Sequence, residues 1–170
     1  TESIFGGSVP KNFHPAVQKG LEEAMKKGVL AGFPMIGLKA NLFDGSYHDV
    51  DSSEMSFKLA AGVAYKEGLP KASPVILEPI GKLLVHVPDR MMGDIIGDIT
   101  KRRGQIIGMT PIGDEGYQEI EAEVPMAEMM TYAIDLRSMT RGRGTFTFDF
   151  LRYADAPANV AEKVIADAKA

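Results

Sequence analysis

Hydrophobic positions along the chain follow two spacings, one typical of helices and one typical of strands. Apolar residues recur about every four positions between 12 and 27, which predicts an amphipathic helix that ends at Gly28. The inward face of this helix is expected to comprise Phe13, Val17, Leu21 and Met25. A strand is predicted over the apolar segment 35–43, and a second helix over about 53–67. The second helix is expected to bury Phe57, Ala60, Ala61 and Ala64.

The second half of the chain predicts six elements in the order β-α-β-β-α-β. The strands are expected over 80–87, 105–110, 117–124 and 145–153, with helices that begin at Pro88 and Pro125. A loop over 111–116 connects the two middle strands as a hairpin. This order is that of a ferredoxin-like domain, an antiparallel four-stranded sheet with both helices on one face.

Apolar side chains in this region also predict which face of each element is buried. The first helix carries an apolar stripe at Met92, Ile95, Ile96 and Ile99. The third strand alternates Glu119, Glu121 and Glu123 with Ile120, Ala122 and Val124. The second helix is expected to turn Met126, Met129, Met130 and Ala133 inward. The last strand is expected to bury Phe146, Phe148 and Phe150 on one face.

Prolines divide the chain into two domains. Pro70, Pro74 and Pro79 fall close together, as in the boundary between two folded units. The prediction is a first domain over 1–73, a ferredoxin-like domain over 78–155 and an amphipathic C-terminal helix over 156–170. The fold class is therefore α+β.

The polar segment between the predicted strand and the second helix is the most informative part of the chain. Asp44-Gly45 is a strong turn signal. Asp51, Ser52 or Ser53 can cap the helix, with Glu54 placed to complete a capping box with Asp51. Tyr47 and His48 are then expected at an exposed tip. Such a tip is suited to contact with a partner, whereas a small-molecule site would need a concave pocket.

Two chemical roles for this tip are considered. His48, Asp49, Asp51 and Glu54 could supply metal ligands, but turn and cap formation already account for the carboxylates. A general acid or base at His48 would need a second group and a concave site. An exposed histidine without a role is the remaining interpretation. No catalytic residue and no metal site are therefore assigned.

Two groups of cations follow the predicted helices of the second domain. They are Lys101, Arg102 and Arg103 after the first helix, and Arg137, Arg141 and Arg143 around the end of the second. If both groups lie at one end of the domain, they form a single basic edge that suits a phosphate backbone. Solvated charges that complement the helix dipoles are the alternative.

Composition excludes several classes of protein. The chain has 170 residues, 45% of them hydrophobic and 25% charged, as in ordinary globular proteins. It has no cysteine, which excludes disulfides and thiolate chemistry. The net charge of −4 opposes nonspecific binding to nucleic acid, including DNA. No secretory leader or long apolar run is evident, so a cytoplasmic protein without membrane contact is expected.

Several motifs together resemble the C-terminal part of bacterial translation elongation factor G. They are Gly6-Gly-Ser-Val-Pro10, Asp44-Gly-Ser-Tyr-His-Asp-Val-Asp-Ser-Ser-Glu-Met-Ser-Phe-Lys58, Leu77-Glu-Pro79, Met92-Gly-Asp-Ile-Ile-Gly-Asp98, Arg102-Arg-Gly-Gln-Ile-Ile-Gly-Met109, Glu123-Val-Pro-Met-Ala-Glu-Met129 and Asp135-Leu-Arg-Ser-Met-Thr140. They occur in the order and spacing of that family and extend over the whole chain.

The resemblance implies a domain organisation. The first domain would be the later part of the factor's fourth domain, an incomplete unit with a left-handed β-α-β crossover like that of some ribosomal proteins. The second would be its ferredoxin-like fifth domain. The family's GTP-binding domain has no counterpart here, and no phosphate-binding glycine motif is present. GTP and Mg²⁺ would therefore bind elsewhere in the parent factor, and this chain would have no cofactor or enzymatic activity of its own.

The resemblance also implies a function. In the family, the fourth domain enters the decoding-side A site of the small ribosomal subunit and promotes movement of tRNA and mRNA. The contacting tip would be Gly45, Ser46, Tyr47, His48 and Asp49, with His48 at the position that is modified to diphthamide in the eukaryotic relative. Contacts of the fifth domain with large-subunit rRNA and the stalk base would fall to Arg102, Arg103, Arg137, Arg141 and Arg143. A ribosome rescue or protection factor of the same family is the alternative, and a free-standing RNA-binding module is a third.

Overall fold

A computed structural model describes residues 8–113 and 116–169 of the chain. Parts of the predicted first domain (1–7) and of the predicted hairpin loop (114–115), together with residue 170, lie outside the described residues. The described residues form two compact units, one of 8–76 with 157–169 and the other of 77–156. No helix within them is both long and apolar enough to cross a bilayer.

The first unit is built from helices. They are α1 (His14–Met25), which follows a 3₁₀ turn at Lys11–Phe13, α2 (Glu54–Gly68), which continues into a 3₁₀ turn at Leu69–Ala72, and α5 (Ala158–Asp167). The two predicted helices near the N-terminus are therefore confirmed. So is a C-terminal helix, although it belongs to the first unit.

Helix α2 begins with a capping box that differs from the predicted one. The Ser53 hydroxyl accepts a hydrogen bond from the amide of Ser56 (3.1 Å), and the Ser56 hydroxyl accepts one from the amide of Ser53 (3.0 Å). The predicted Asp51–Glu54 box is wrong, because Glu54 is the first helical residue rather than the third. Glu54 still lies in the first turn, where its charge complements the helix dipole.

Helices α1 and α2 pack closely at Gly20. A Cβ atom at that position would collide with the backbone carbonyl of Lys58, so only glycine permits this separation. Lys58 also pairs with Glu23 of α1 (2.6 Å). The buried residues at this interface are small or aromatic: Ala16, Gly20, Ala61 and Tyr65. Of the predicted inward face of α2, Ala61 is buried and Phe57 half-buried, whereas Ala60 and Ala64 are exposed.

The strand predicted over 35–43 is wrong. This segment is irregular, and only Leu42 makes a β-bridge. A strand needs the backbone hydrogen bonds of a neighbouring strand, and residues 8–76 contain no other strand to provide them. The left-handed crossover implied by the resemblance would likewise need two strands, which the described part of this unit does not contain.

The second unit has the ferredoxin-like fold that the sequence predicts. Its elements are β1 (Leu77–Pro88), α3 (Met92–Lys101), β2 (Gln105–Ile112), β3 (Tyr117–Pro125), α4 (Tyr132–Thr140) and β4 (Thr145–Asp155). The strand order is β2-β3-β1-β4, and every neighbouring pair is antiparallel. The predicted α+β class is confirmed.

The core of this unit lies between the sheet and its two helices. It comprises Leu83, Val85, Val87, Ile95, Ile99, Ile120, Ala122, Val124, Tyr132 and Leu136. The predicted alternation along β3 and the stripe along α3 are both confirmed, with Met92 and Ile96 partly buried against the core. These two patterns were predictable because apolar residues recur at every second position along β3 and at every third or fourth position along α3.

The predicted inward face of α4 is largely wrong. Met129 packs against the core, but Met126, Met130 and Ala133 are exposed, and Met130 keeps 88% of its surface accessible. The residues that α4 buries are Tyr132, Leu136 and Thr140. A 3₁₀ turn at Met126–Met129 precedes the helix. Its three residues per turn shift the apolar phase relative to a continuous α-helix, and this accounts for the error.

Strand β4 buries only part of its predicted aromatic face. Phe146 and Phe148 pack against the core, whereas Phe150 is 53% exposed. The pairing with β1 shifts register between Ile80 and Gly81, opposite this part of β4. Gly81 has no side chain because the Phe148 ring occupies the space that a Cβ atom would need.

Candidate functional site

The tip loop, defined as residues 44–51, leads into helix α2, and all of its residues are exposed. The amide of Gly45 donates a hydrogen bond to the Asp44 side chain (2.8 Å), which forms the turn predicted from this pair. A Cβ atom at Gly45 would collide with a methyl group of the Val9 side chain, so the loop packs directly against Val9 here. The start of the loop is thereby held against the N-terminal part of the unit.

The backbone of His48 is fixed from the other side of the loop. Its amide donates a hydrogen bond to the Ser52 hydroxyl (2.9 Å), and its carbonyl accepts one from the Ser52 amide (3.0 Å). The Ser56 hydroxyl donates to the carbonyl of Asp51 (3.1 Å), which links the end of the loop to the capping box of α2. The turn at 48–52 is therefore closed by hydrogen bonds at both of its ends.

A stack of two phenylalanine rings anchors Tyr47, the residue directly before His48. The Tyr47 ring packs against Phe13 (5.7 Å between centroids, 35° between planes), and Phe13 stacks on Phe57 (4.7 Å, 27°). We call Phe13, Tyr47 and Phe57 the aromatic brace. Asp49 accepts a hydrogen bond from the Tyr47 side chain, and this bond raises the pKa of the phenol. The brace connects the loop to the 3₁₀ turn before α1 and to the first turn of α2.

The prediction of an exposed tip is confirmed for Tyr47 and His48, and Val50 beside them is 93% exposed. Contact of Gly45, Ser46, Tyr47, His48 and Asp49 with RNA stays a prediction. Within residues 8–113 and 116–169, no three histidine or acidic side chains are arranged to hold a metal ion. The loop therefore presents an exposed imidazole on a hydrogen-bonded backbone.

Sequence reasoning missed the residues that support the tip. Phe13 and Phe57 fit helical periodicity and are expected on helix faces, so nothing in the pattern indicates that Phe13 contacts Tyr47 or that Phe57 stacks on Phe13. The pair Ser53 and Ser56 has capping-box spacing, but Glu54 after Asp51 matches the usual acidic form of the motif more closely. The backbone of the turn decides between the two capping boxes, because it places Ser53 at the N-cap and Ser56 at the third helical position.

Two members of the first cation group, Arg102 and Arg103, form ion pairs inside the protein, whereas Lys101 is exposed. Arg102 donates to the carboxylates of Asp98 (2.7 Å) and Asp135, and to the carbonyl of Glu128 (2.6 Å). Its guanidinium also lies over the Tyr132 ring, 5.1 Å from the centroid. The pKa of Asp135 is lowered by hydrogen bonds from Thr131 and Arg102. Only 12% of the Arg102 side chain is accessible, so its charge serves the fold.

Arg103 is also bonded to carboxylates within the protein. It donates two parallel hydrogen bonds to Glu78 (2.8 Å each) and a third to Glu128 (3.1 Å). Those to Glu78 contribute most to raising the pKa of its guanidinium. Arg103 therefore joins the start of β1 to the turn that precedes α4.

The second cation group lies elsewhere. Arg137, Arg141 and Arg143 are exposed, and none forms an ion pair with another described residue. Arg103 contacts Glu78 at the start of β1, whereas Thr145 pairs with His86 near its end. At about 3.3 Å per residue, these points are about 26 Å apart. The predicted single basic edge is wrong, because α3 and α4 end at opposite ends of the sheet.

The fold and the site together define a two-unit α+β protein with a ferredoxin-like domain and an internally supported contact loop. Residues 1–73 match the family model described as elongation factor G, domain IV, and residues 75–164 match the model described as elongation factor G C-terminus. The chain belongs to the elongation factor G family and is part of a translation factor.

A solved structure resembles the chain over nearly its whole length. A crystal structure of a protein from Thermus thermophilus is 42% identical to this chain and superimposes with a TM-score of 0.88. The match covers 99% of this chain and 25% of the Thermus chain. The chain thus spans a quarter of the length of the protein it matches.

Proposed function

We propose that this chain is the ribosome-contacting C-terminal part of a translational GTPase that moves tRNA and mRNA through the ribosome. In this proposal the tip loop enters the decoding-side A site of the small subunit. The observation that carries it is the exposed His48, whose backbone is bonded on both sides to Ser52. Hydrolysis of GTP with its Mg²⁺ belongs to another part of the factor, which acts in the cytoplasm.

The chemistry of the tip supports a mechanical role. An imidazole can donate or accept a hydrogen bond and can stack on a base, so it can hold RNA without reacting with it. Gly45, Ser46, Tyr47 and Asp49 give the loop the shape in which His48 is presented. Such a loop would keep tRNA and mRNA in register while larger parts of the factor move.

The exposed arginines supply the second contact in this proposal. Arg137, Arg141 and Arg143 are available to the phosphates of large-subunit rRNA near the stalk base. Arg102 and Arg103 instead hold the domain in shape, since their guanidinium groups are bonded to protein carboxylates.

The test is mRNA movement by the full-length factor with His48→Ala. Toeprinting on pretranslocation ribosomes with GTP should show a one-codon shift for the unchanged factor and a rate at least tenfold lower for the variant. Ribosome-stimulated GTP hydrolysis should stay within about twofold, because His48 has no part in that chemistry.

His86→Ala is the matched control, since it removes a half-exposed imidazole from the other unit. It should leave the rate of mRNA movement unchanged. A factor that hydrolyses GTP on ribosomes but does not move mRNA would overturn the proposal and favour a rescue or protection factor. Normal movement by His48→Ala would overturn the role of the tip.

A further inference from the structure

Phe13 and Phe57 lie outside the tip loop, yet they are the groups that hold Tyr47 in place. Phe13 ends the 3₁₀ turn before α1, and Phe57 lies in the first turn of α2. Their rings are stacked, and Tyr47 packs on the Phe13 side of the stack. Both phenylalanines are half-buried, so their stacked rings form a packed contact within the unit.

We infer that Phe13 and Phe57 are positioning residues for His48, acting through the ring of Tyr47. This inference rests on the proposed function, since it assigns to these residues the placement of the group that contacts RNA. Tyr47 and His48 are neighbours in the chain, so a fixed Tyr47 ring limits the backbone angles from which the imidazole projects.

The tip has two supports, which act on neighbouring residues. Ser52 holds the His48 backbone by hydrogen bonds, and the aromatic brace holds the preceding residue by ring contacts. Offset and tilted aromatic pairs at these separations stabilise a preferred mutual orientation as well as burying area. Loss of the brace should therefore loosen the tip while the capping box of α2, formed by Ser53 and Ser56, remains.

The first measurement follows the tip itself, so that its outcome does not depend on translocation. Hydrogen exchange of the full-length factor is measured on millisecond to second timescales for peptides that cover 44–57. Phe13→Leu and Phe57→Leu should each increase exchange at the His48 and Ser52 amides at least fivefold. Phe13→Tyr, which keeps the ring, should behave like the unchanged protein.

Phe33→Leu is the matched control, because Phe33 is 58% exposed and takes no part in the brace. It should leave exchange in the tip unchanged. If Phe13→Leu and Phe57→Leu also leave it unchanged, the inference is wrong, whatever the factor does on the ribosome.

The second measurement is a double-mutant comparison by toeprinting. Phe13→Leu alone should slow mRNA movement several-fold, with GTP hydrolysis within about twofold of normal. Combined with His48→Ala it should add no further slowing, because both changes remove the same contact. Multiplied effects would show that Phe13 acts by another route and would overturn the inference. Normal movement by His48→Ala, with loosened exchange in the phenylalanine variants, would contradict the proposed function and leave the brace established.

Discussion

At the scale of single residues, Tyr132 combines complete burial with an unpaired hydroxyl. The side chain is fully buried, and its hydroxyl has no hydrogen-bond partner among the described residues. Burial, with a smaller contribution from Asp98, raises the pKa of the phenol well above its ordinary value. The ring itself is well placed, edge-on to Phe146 (5.0 Å, 88°) and beneath Arg102. The ring therefore stabilises the core, and the hydroxyl opposes it.

Replacing Tyr132 by phenylalanine should raise the free energy of unfolding. The ring contacts are kept, while a buried unpaired polar group, which costs about 1–3 kcal/mol, is removed. We expect a gain of about 1 kcal/mol in urea unfolding followed by far-ultraviolet circular dichroism. Tyr153→Phe is the control, because Tyr153 is 55% exposed and should change stability by less than about 0.5 kcal/mol. A loss of stability in Tyr132→Phe would show that the hydroxyl is bonded after all.

At the scale of elements, Arg103 joins parts of the fold that are distant in sequence. It contacts Glu78 at the start of β1 and Glu128 in the turn before α4, and it does so from a left-handed backbone conformation (φ 60°). The Glu78 side chain is only 11% exposed, so removal of its partner would leave a charge with little access to solvent. The pair fixes where β1 begins relative to both helices.

Arg103→Ala should lower the free energy of unfolding of this domain by about 1–3 kcal/mol, the usual effect of leaving a buried polar group unpaired. Arg141→Ala is a close control, because Arg141 shares the left-handed conformation (φ 53°) but is exposed and forms no ion pair with a described residue. Its effect should be less than about 0.5 kcal/mol. Equal effects in urea unfolding would mean that backbone strain, and not the Glu78 pair, sets the stability at both sites.

The elements also show what the sequence could predict. The order β-α-β-β-α-β was predictable because the apolar residues of β3 and α3 are regularly spaced. They pack in one core, and every strand has a partner in the four-stranded sheet. The face of α4 was not, because a 3₁₀ turn changes the phase before the helix begins. The irregular structure of 35–43 was not predictable either, since an apolar segment has strand structure only where a neighbour supplies hydrogen bonds.

The location of the candidate site could be predicted from the sequence, but the residues that hold it in shape could not. The turn residues around Gly45 and the cap before α2 indicated an exposed Tyr47 and His48, and local chemistry determines both features. The ring contacts with Phe13 cross more than thirty residues of sequence, and periodicity carries no information about such pairs. The distribution of the arginines has a different cause: it follows from the predicted β-α-β-β-α-β order itself, in which the two helices run in opposite directions, so the expectation of a single basic edge was inconsistent with that order.

At the scale of the whole chain, the arginines of the ferredoxin-like domain fall into an ion-paired group and a solvent-exposed group. One end of the ferredoxin-like sheet holds Arg102 and Arg103 in ion pairs, whereas the other presents Arg137, Arg141 and Arg143 to solvent. A net charge of −4 means that nonspecific attraction to RNA is weak overall. Binding of the chain to rRNA would then depend on local, unpaired cations rather than on the average charge.

Under the proposed function, this division predicts how binding to the large subunit depends on salt. Each cation that neutralises a phosphate contributes roughly 0.7–0.9 to the slope of log affinity against log salt. The full-length factor with Arg137, Arg141 and Arg143 changed to glutamine should therefore bind large subunits more weakly, with a slope reduced by about 2. The measurement is a filter-binding titration at several potassium concentrations.

The matched control changes Lys26, Lys27 and Lys66, three exposed cations of the first unit, to glutamine. It removes the same charge but should leave the slope nearly unchanged, because these side chains lie outside the ferredoxin-like domain. Equal losses in the two triple variants would indicate a general charge effect. An unchanged slope in the arginine variant would exclude these residues as phosphate contacts. Since Arg102 and Arg103 are already neutralised within the protein, other groups of the chain, among them the exposed Lys101, would then have to supply the contacts with rRNA.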